Sequence, residues 1–250
     1  MRIALLFSGQ PRTVDGVIFQ SIQNTLLSQY DVDVYAHFWE YSEPCKSNSS
    51  YLENIEKFKT QYSPKALVID PPLLESEYPS GLNTNWMKNS YSMYCSMKRV
   101  YNLFESTSNN IKYNWIIRIR VDSILYRVPD LTTLPTNRIY VPDWHKGAKV
   151  VVNHMVILSP NLAKMFFSIQ DTFQQLKGSI DEEYVYSHLE LHNQLHFLHP
   201  LDMTIFFPTI SRDGISKENP PPDGDDAFRV TKFINNNKHS IFTRLNNIHL

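Results

Sequence analysis

In the segment WIIRIRVDSILY, residues 115–126, Arg118, Arg120 and Asp122 alternate with Ile117, Ile119 and Val121. Successive side chains of an extended chain point to opposite faces, so these charges share one face. Two guanidinium groups and a carboxylate so arranged can grip an anion, set a carboxylate beside a metal ion, or neutralise one another. A strand covered by helices is almost wholly apolar, so charge at the end of one points to a polar cleft. Two other readings stay open, above all for Arg118, which is farther from the strand end: an edge strand with a solvated face, and a structural Arg–Asp network, because buried charges must be paired.

Other chemistry-bearing residues also follow apolar runs. Ile3 to Phe7 leads into Ser8-Gly9-Gln10-Pro11-Arg12, which offers a hydroxyl, an approachable backbone and a cation suited to a nucleotide base or phosphate. His37, Trp39 and Glu40 close the next run. Ligands of open parallel sheets sit outside the carboxyl ends of the strands, so these sets should converge with Arg120 and Asp122 on one sheet edge. Asp122 is the carboxylate best placed for a divalent cation, Mn2+ or Mg2+, whose remaining ligands would be waters and substrate phosphate oxygens. Asp31-Val32-Asp33 enters its strand at the amino end and is read as a strand-entry feature. Asp223-Gly224-Asp225 is read as a solvated turn, with a carboxylate-bearing lid as the alternative. Asn153 and His154 precede a strand, and Asp181-Glu182-Glu183 opens a helix. That acidity either complements the helix dipole or faces a reacting group. His188, His192, His196 and His199 form no ligand-like pattern.

The elements that must position these residues follow from periodicity. Strands are expected at Arg2 to Phe7, Val32 to Phe38 and Ala66 to Ile69, the last stopped by Pro71-Pro72. Val14, Ile18, Ile22 and Leu26 mark one amphipathic helix between them, and Leu52, Ile55, Phe58 and Tyr62 another. This β-α-β-α-β order implies a parallel sheet with helices on its faces. Residues 73–90 read as irregular. Met93, Met97, Val100 and Phe104 then trace a long helix into a fourth strand over 115–122. Beyond it, short strands at 138–141, 155–158 and 204–207 surround helices at about 161–176, with Leu162, Met165, Ile169 and Phe173 inward, and at about 182–194. Lys217 to Asp226 is a proline-rich loop, and the Asn-rich tail from Asn235 has a composition compatible with partial disorder.

Composition narrows the function. With Lys+Arg 24 against Asp+Glu 25, the net charge of −1 provides no global field for nucleic acid or anionic membrane. The 7 glycines form no GxGxxG and no GxxxxGK[ST], and neither HExxH nor GxSxG occurs, so dinucleotide, P-loop, zincin and nucleophile-elbow signatures are missing. Cys45 and Cys95 make no disulfide framework or CxxC pair and read as free thiols of a reducing compartment. Ile3 to Phe7 is too short for a signal sequence, and no stretch approaches the about 20 apolar residues of a membrane span. The sequon Asn48-Ser49-Ser50 then reads as a polar loop, and a soluble, cytoplasmic protein is expected.

Taken together, RIALLFSGQPR, DVDVYAHFW, YNWIIRIRVDSILY, NHMVILSP and DEEYVYSHLELHN resemble a family of small GT-A-type sugar transferases from bacterial surface-polysaccharide loci and large DNA viruses. The resemblance spans roughly residues 1–200, and SGQPR and RxRxD are its most specific parts. It implies an α/β, GT-A-like single domain over 1–250: a mostly parallel Rossmann-like sheet flanked by helices, a nucleotide-sugar half at about 1–125, a mixed acceptor half at about 126–234, and a tail. The implied function is transfer of a sugar from a nucleoside-diphosphate sugar to a glycan hydroxyl, in the host cytoplasm if the source is viral. A sugar nucleotidyltransferase and a non-catalytic carbohydrate-binding protein on a degenerate transferase fold stand as alternatives. On the resemblance, Ser8, Gly9, Gln10 and Arg12 grip the nucleotide, Arg120 joins them on the donor side, and Asn153 and His154 line the sugar or acceptor pocket; their place at a strand end adds His37 and Trp39 to the donor residues. Asp122 stands at the metal position, and Glu182, with Asp181, is the acceptor-side acid. Arg120 replaces the first Asp of the DxD found in other GT-A enzymes, so a guanidinium could take over the neutralisation of pyrophosphate.

Overall fold

The structure is a computed structural model that describes residues 1–11, 14, 16–41, 49–82, 84–142, 149–151, 153–179, 181–201, 204–206, 210–211 and 214–215. Cys45, Asn48, the Asp223–Asp225 triplet, the proline-rich loop and the tail lie outside the described residues. The chain divides into two compact units, Met1–Ile205 and Phe206–Leu250. In the second, Ile210–Ser211 and Gly214–Ile215 pair as a short antiparallel ladder.

The first unit is built on strands β1 (Arg2–Gly9), β2 (Asp31–Trp39) and β3 (Ala66–Asp70), which pair in parallel in the order β3-β2-β1. Helix α1 (Gly16–Ile22) continues as a π-helical turn, Gln23–Leu27. The expected stripe Val14, Ile18, Ile22 and Leu26 is buried throughout. Helix α2 (Ser49–Tyr62) buries Tyr51, Ile55, Phe58 and Tyr62, while Leu52 is 58% exposed. Steps of four, three and four residues hold a 3.6-residue period better than a register begun at Leu52. Phe58 of this face packs on Phe7 and Phe38 at ring separations of 5.1 and 4.8 Å.

Helix α3 (Asn85–Thr107) starts eight residues before Met93, in the stretch that reads as irregular. Thr84 caps it, its hydroxyl accepting the Met87 amide at 3.2 Å. The first turns carry Asn89, Ser90 and Ser92, which break the apolar period although the backbone is helical. Thr84→Ala is expected to cost about 1 kcal/mol, the usual value of an N-cap, read as a lower urea midpoint at unchanged slope.

Strand β4 (Trp115–Ile119) pairs with the other side of β1. It ends three residues earlier than the alternation predicts: Ser123 N–H bonds the Arg120 carbonyl at 3.2 Å, so Arg120, Val121 and Asp122 form a turn. Strands β5 (Ile124–Arg127), β6 (Ile139–Pro142) and β7 (Met155–Leu158) follow, then helices α4 (Pro160–Phe166), α5 (Ile169–Thr172) and α6 (Asp181–Leu191), and strand β8 (Leu198–Leu201). The single helix expected over 161–176 is broken at Phe167–Ser168, yet Leu162, Ile169 and Phe173 remain buried, with Met165 half-buried. A further strand lies at Thr204–Phe206.

Among the described residues the main sheet has seven strands in the order β3-β2-β1-β4-β7-β6-β8. β7 runs antiparallel to β4 and β6, and β8 runs parallel to β6. The protein is therefore α/β, with a mostly parallel mixed sheet flanked by helices. Its amino edge is tied at Asp33, which accepts from Arg2 Nε at 3.0 Å and Tyr113 OH at 2.6 Å and pairs with Lys65 Nζ at 3.1 Å. Burial raises the Asp33 carboxyl, but these partners outweigh it and hold the group below its ordinary value. Asp31 and Asp33 thus belong to strand entry. No helix among the described residues is long and apolar enough to cross a membrane.

Candidate functional site

The sheet order reverses at β1: β2 lies on one side and β4 on the other. Such a switch point opens a crevice beyond the carboxyl ends of the two strands. A cleft of about 240 Å³ is found there, lined by Ser8, Gly9 and Gln10 from β1 and its exit, Trp39 from β2, Asn89, Ser92 and Met93 from α3, Arg118 to Asp122 apart from Ile119, and Asp181. Gly9 has φ +113°, and a Cβ there would meet nothing within 4 Å. Backbone conformation, rather than space, demands the glycine.

Arg118 is 1% exposed. β4 is flanked by β1 and β7, so the edge-strand reading of its charges is overturned. The guanidinium donates from Nε to Ser8 Oγ at 3.3 Å and from Nη1 to the Asn153 carbonyl. Both acceptors are neutral, and no carboxylate among the described residues forms an ion pair with it. Burial, then the nearby Arg120 charge, push Arg118 down to about 9, still cationic at neutral pH.

Arg120 and Asp122 form a two-pronged pair, Nε to Oδ1 at 2.9 Å and Nη2 to Oδ2 at 2.7 Å. Both carboxylate oxygens expected to face a cation therefore accept from a guanidinium. Among the described residues no group of three His, Cys, Asp or Glu is positioned to hold a metal. The donor set at Asp122 does not fit a preformed metal site.

The acids opening α6 go to different places, as successive helical residues must. Asp181 lines the cleft, its Oδ1 accepting the Ser90 hydroxyl and its main-chain carbonyl accepting Tyr94 OH at 2.6 Å. Glu182 lies outside the cleft lining and approaches His154, Oε1 to Nε2 3.9 Å. Glu183 accepts from the Ser179 amide and hydroxyl ahead of the helix. Asn153 and His154 also lie outside the lining and brace it instead. The Asn153 carbonyl holds Arg118, and the His154 carbonyl accepts the Arg120 amide at 3.1 Å. Burial, then Arg120 and Arg118, push the His154 imidazole down to about 3.

His37 is not brought to the cleft. It is fully buried, with Nδ1 2.7 Å from Ser96 Oγ and Nε2 3.0 Å from Asp70 Oδ2. Ser96 is equally buried, so this Ser–His–Asp set has no path to a substrate and ties β2, α3 and β3 together. Its link to the cleft is Trp39, packed edge-on against the His37 ring at 4.9 Å, with the Arg99 guanidinium 4.8 Å from the indole centre. Arg12 lies outside the described residues.

Of the residues that line the cleft, the sequence reading missed Asn89, Ser92, Met93 and Val121, and left Arg118 between structural and functional roles. The signal available for the α3 residues was the polar pair Asn89 and Ser92, three apart and so on one face of a helix. No protein-family model matches the chain, and no significant match is found among curated proteins.

Proposed function

We propose that this protein is a GT-A-like glycosyltransferase that moves a sugar from a nucleoside-diphosphate sugar to a glycan hydroxyl. The observation that carries the reading is Arg118, a buried guanidinium without an acid partner on the wall of a cleft at the sheet's switch point. The resemblance of SGQPR and RxRxD to sugar transferases supplies the class of ligand. Cleavage of the bond between the anomeric carbon and the diphosphate oxygen leaves negative charge on that oxygen, and fixed positive groups stabilise it as it develops. Arg118 and Arg120, with the backbone at Ser8, Gly9 and Gln10, are assigned this task.

On the acceptor side, a hydroxyl oxygen bonds to the anomeric carbon and gives its proton to a carboxylate. Asp181 takes this role in place of Glu182 because it lines the cleft. At about 240 Å³, the cleft is below the range of about 300–1,000 Å³ that encloses drug-sized ligands. It suits the diphosphate and adjoining sugar.

Incubation with a panel of nucleotide sugars, with nucleoside diphosphate and pyrophosphate detected separately, tests the reading. Nucleoside diphosphate release, accelerated by glycan acceptors, is expected. Pyrophosphate release from a nucleoside triphosphate and a sugar phosphate would assign a nucleotidyltransferase. Glycan binding with no turnover of any donor would assign a carbohydrate-binding protein.

A further inference from the structure

We propose that the Arg118 guanidinium, rather than a divalent cation, neutralises the diphosphate in this cleft, and that Asp122 holds Arg120 in place instead of ligating a metal. The inference takes the identity of its ligand from the glycosyltransferase reading, but the anion site stands on its own geometry.

Three observations carry it. A charge removed from water is costly unless an opposite charge compensates it, and Arg118 hydrogen-bonds only to a serine hydroxyl and a main-chain carbonyl, with Asp122 and Asp181 acting on it without an ion pair. Nη2 has no protein acceptor among the described residues, and the side chain lines the cleft. A diphosphate oxygen supplies the missing counter-charge, and the guanidinium fork matches phosphate geometry. Ser8 and Asn153 fix the orientation of that fork before any ligand arrives.

The carboxylates of the cleft, by contrast, are already engaged. Asp122 is held at 2.9 and 2.7 Å by Arg120, and Asp181 accepts from Ser90. A cation at the usual oxygen distance of about 2.0–2.6 Å from Asp122 would sit against the Arg120 guanidinium. The Asp122 side chain is 13% exposed, so that repulsion is poorly screened. A metal there would set its charge directly against the guanidinium that already holds both carboxylate oxygens.

The test is titration calorimetry of the full chain after EDTA treatment, with inorganic pyrophosphate, UDP and GDP as probes, repeated with Mn2+ present. Binding of pyrophosphate and of at least one nucleoside diphosphate is expected in EDTA, with no gain from Mn2+. Arg118→Met should weaken it by at least about tenfold, and Arg118→Lys should recover part of the loss because it keeps the charge without the fork. Asp122→Asn should leave metal response absent, as in the parent. Binding lost in EDTA and restored by Mn2+ would overturn the inference while leaving the transferase reading intact. Undiminished binding by Arg118→Met would overturn it as well. Pyrophosphate binding without binding of either nucleoside diphosphate would support the charge assignment and count against the transferase reading. If Arg118→Met does not fold, the EDTA arm and Arg118→Lys still decide.

Discussion

Asp181→Asn is expected to lower kcat by about 10²- to 10⁴-fold, the usual worth of a positioned general base, while the Kd of a donor diphosphate changes little. The substitution preserves shape and retains a side-chain oxygen to accept from Ser90, so the lost quantity is the capacity to take a proton. Glu182→Gln and Glu183→Gln are the controls. Glu182 lies 3.9 Å from a His154 ring that burial and two arginines keep neutral, and Glu183 bonds Ser179 ahead of the helix. Each should leave kcat nearly unchanged and move stability by no more than about 1 kcal/mol. Single-turnover transfer with the best donor, beside calorimetry of the diphosphate, separates the two readouts. A large loss at Glu182 with none at Asp181 would return the base to Glu182. Equal modest losses at all three positions would leave the cluster as a helix start and point to a retaining reaction or another base.

The sequence reading favoured Glu182, whereas Asp181 lines the cleft, and the difference has a physical cause. Asp181, Glu182 and Glu183 differ by about 100° in direction around the helix, and only the packing of α6 against α3, through Tyr94 OH on the Asp181 carbonyl, sets which faces the cleft. The three parallel strands were legible because β1 and β2 are nearly continuous apolar runs that bury both faces. The convergence of Ser8, Gly9 and Gln10 with Arg120 and Asp122 was legible too, since it requires only that β1 and β4 end on the same edge. His37 was misplaced because its place near a strand's carboxyl end suggested a ligand, when Asp70 and Ser96, 33 and 59 residues away in sequence, satisfy both ring nitrogens. Arg118 remained ambiguous because only the pairing of β4 with β7 makes it interior. Non-local contacts of this kind leave no local signature.

Stability is expected to fall steeply as pH drops below about 6.5, the unfolded histidine value. His154 and His188 are pushed down to about 3 and about 4, in both cases first by burial, and His37 is also lowered, again chiefly by burial. For a base whose folded pKa is depressed, the unfolded chain takes up the proton first. The stabilising contribution is therefore complete above about 6.5 and is lost as pH falls toward the folded value. At pH 5, His154 and His188, with folded values of about 3 and about 4, each lose about 2 kcal/mol by this linkage. The sum is a large part of the about 5–15 kcal/mol that holds a typical domain together. Asp33 and Asp70 are lowered as well, but depressed carboxylates lose their contribution only below about pH 4, outside this window. Urea unfolding between pH 8 and 5 should show a level stretch above pH 7 and then a decline. In His188→Gln the decline should be shallower whatever the variant's absolute stability, because His188, bonded to Thr172 and the Met165 carbonyl, no longer contributes a proton. A level profile down to pH 5 would mean that these rings titrate freely in the folded protein. Pyrophosphate should soften the decline through His154 in particular: Arg120 and Arg118 help keep that ring neutral, and an anion bound between them offsets their charge. The same ligand should leave the His188 contribution unchanged.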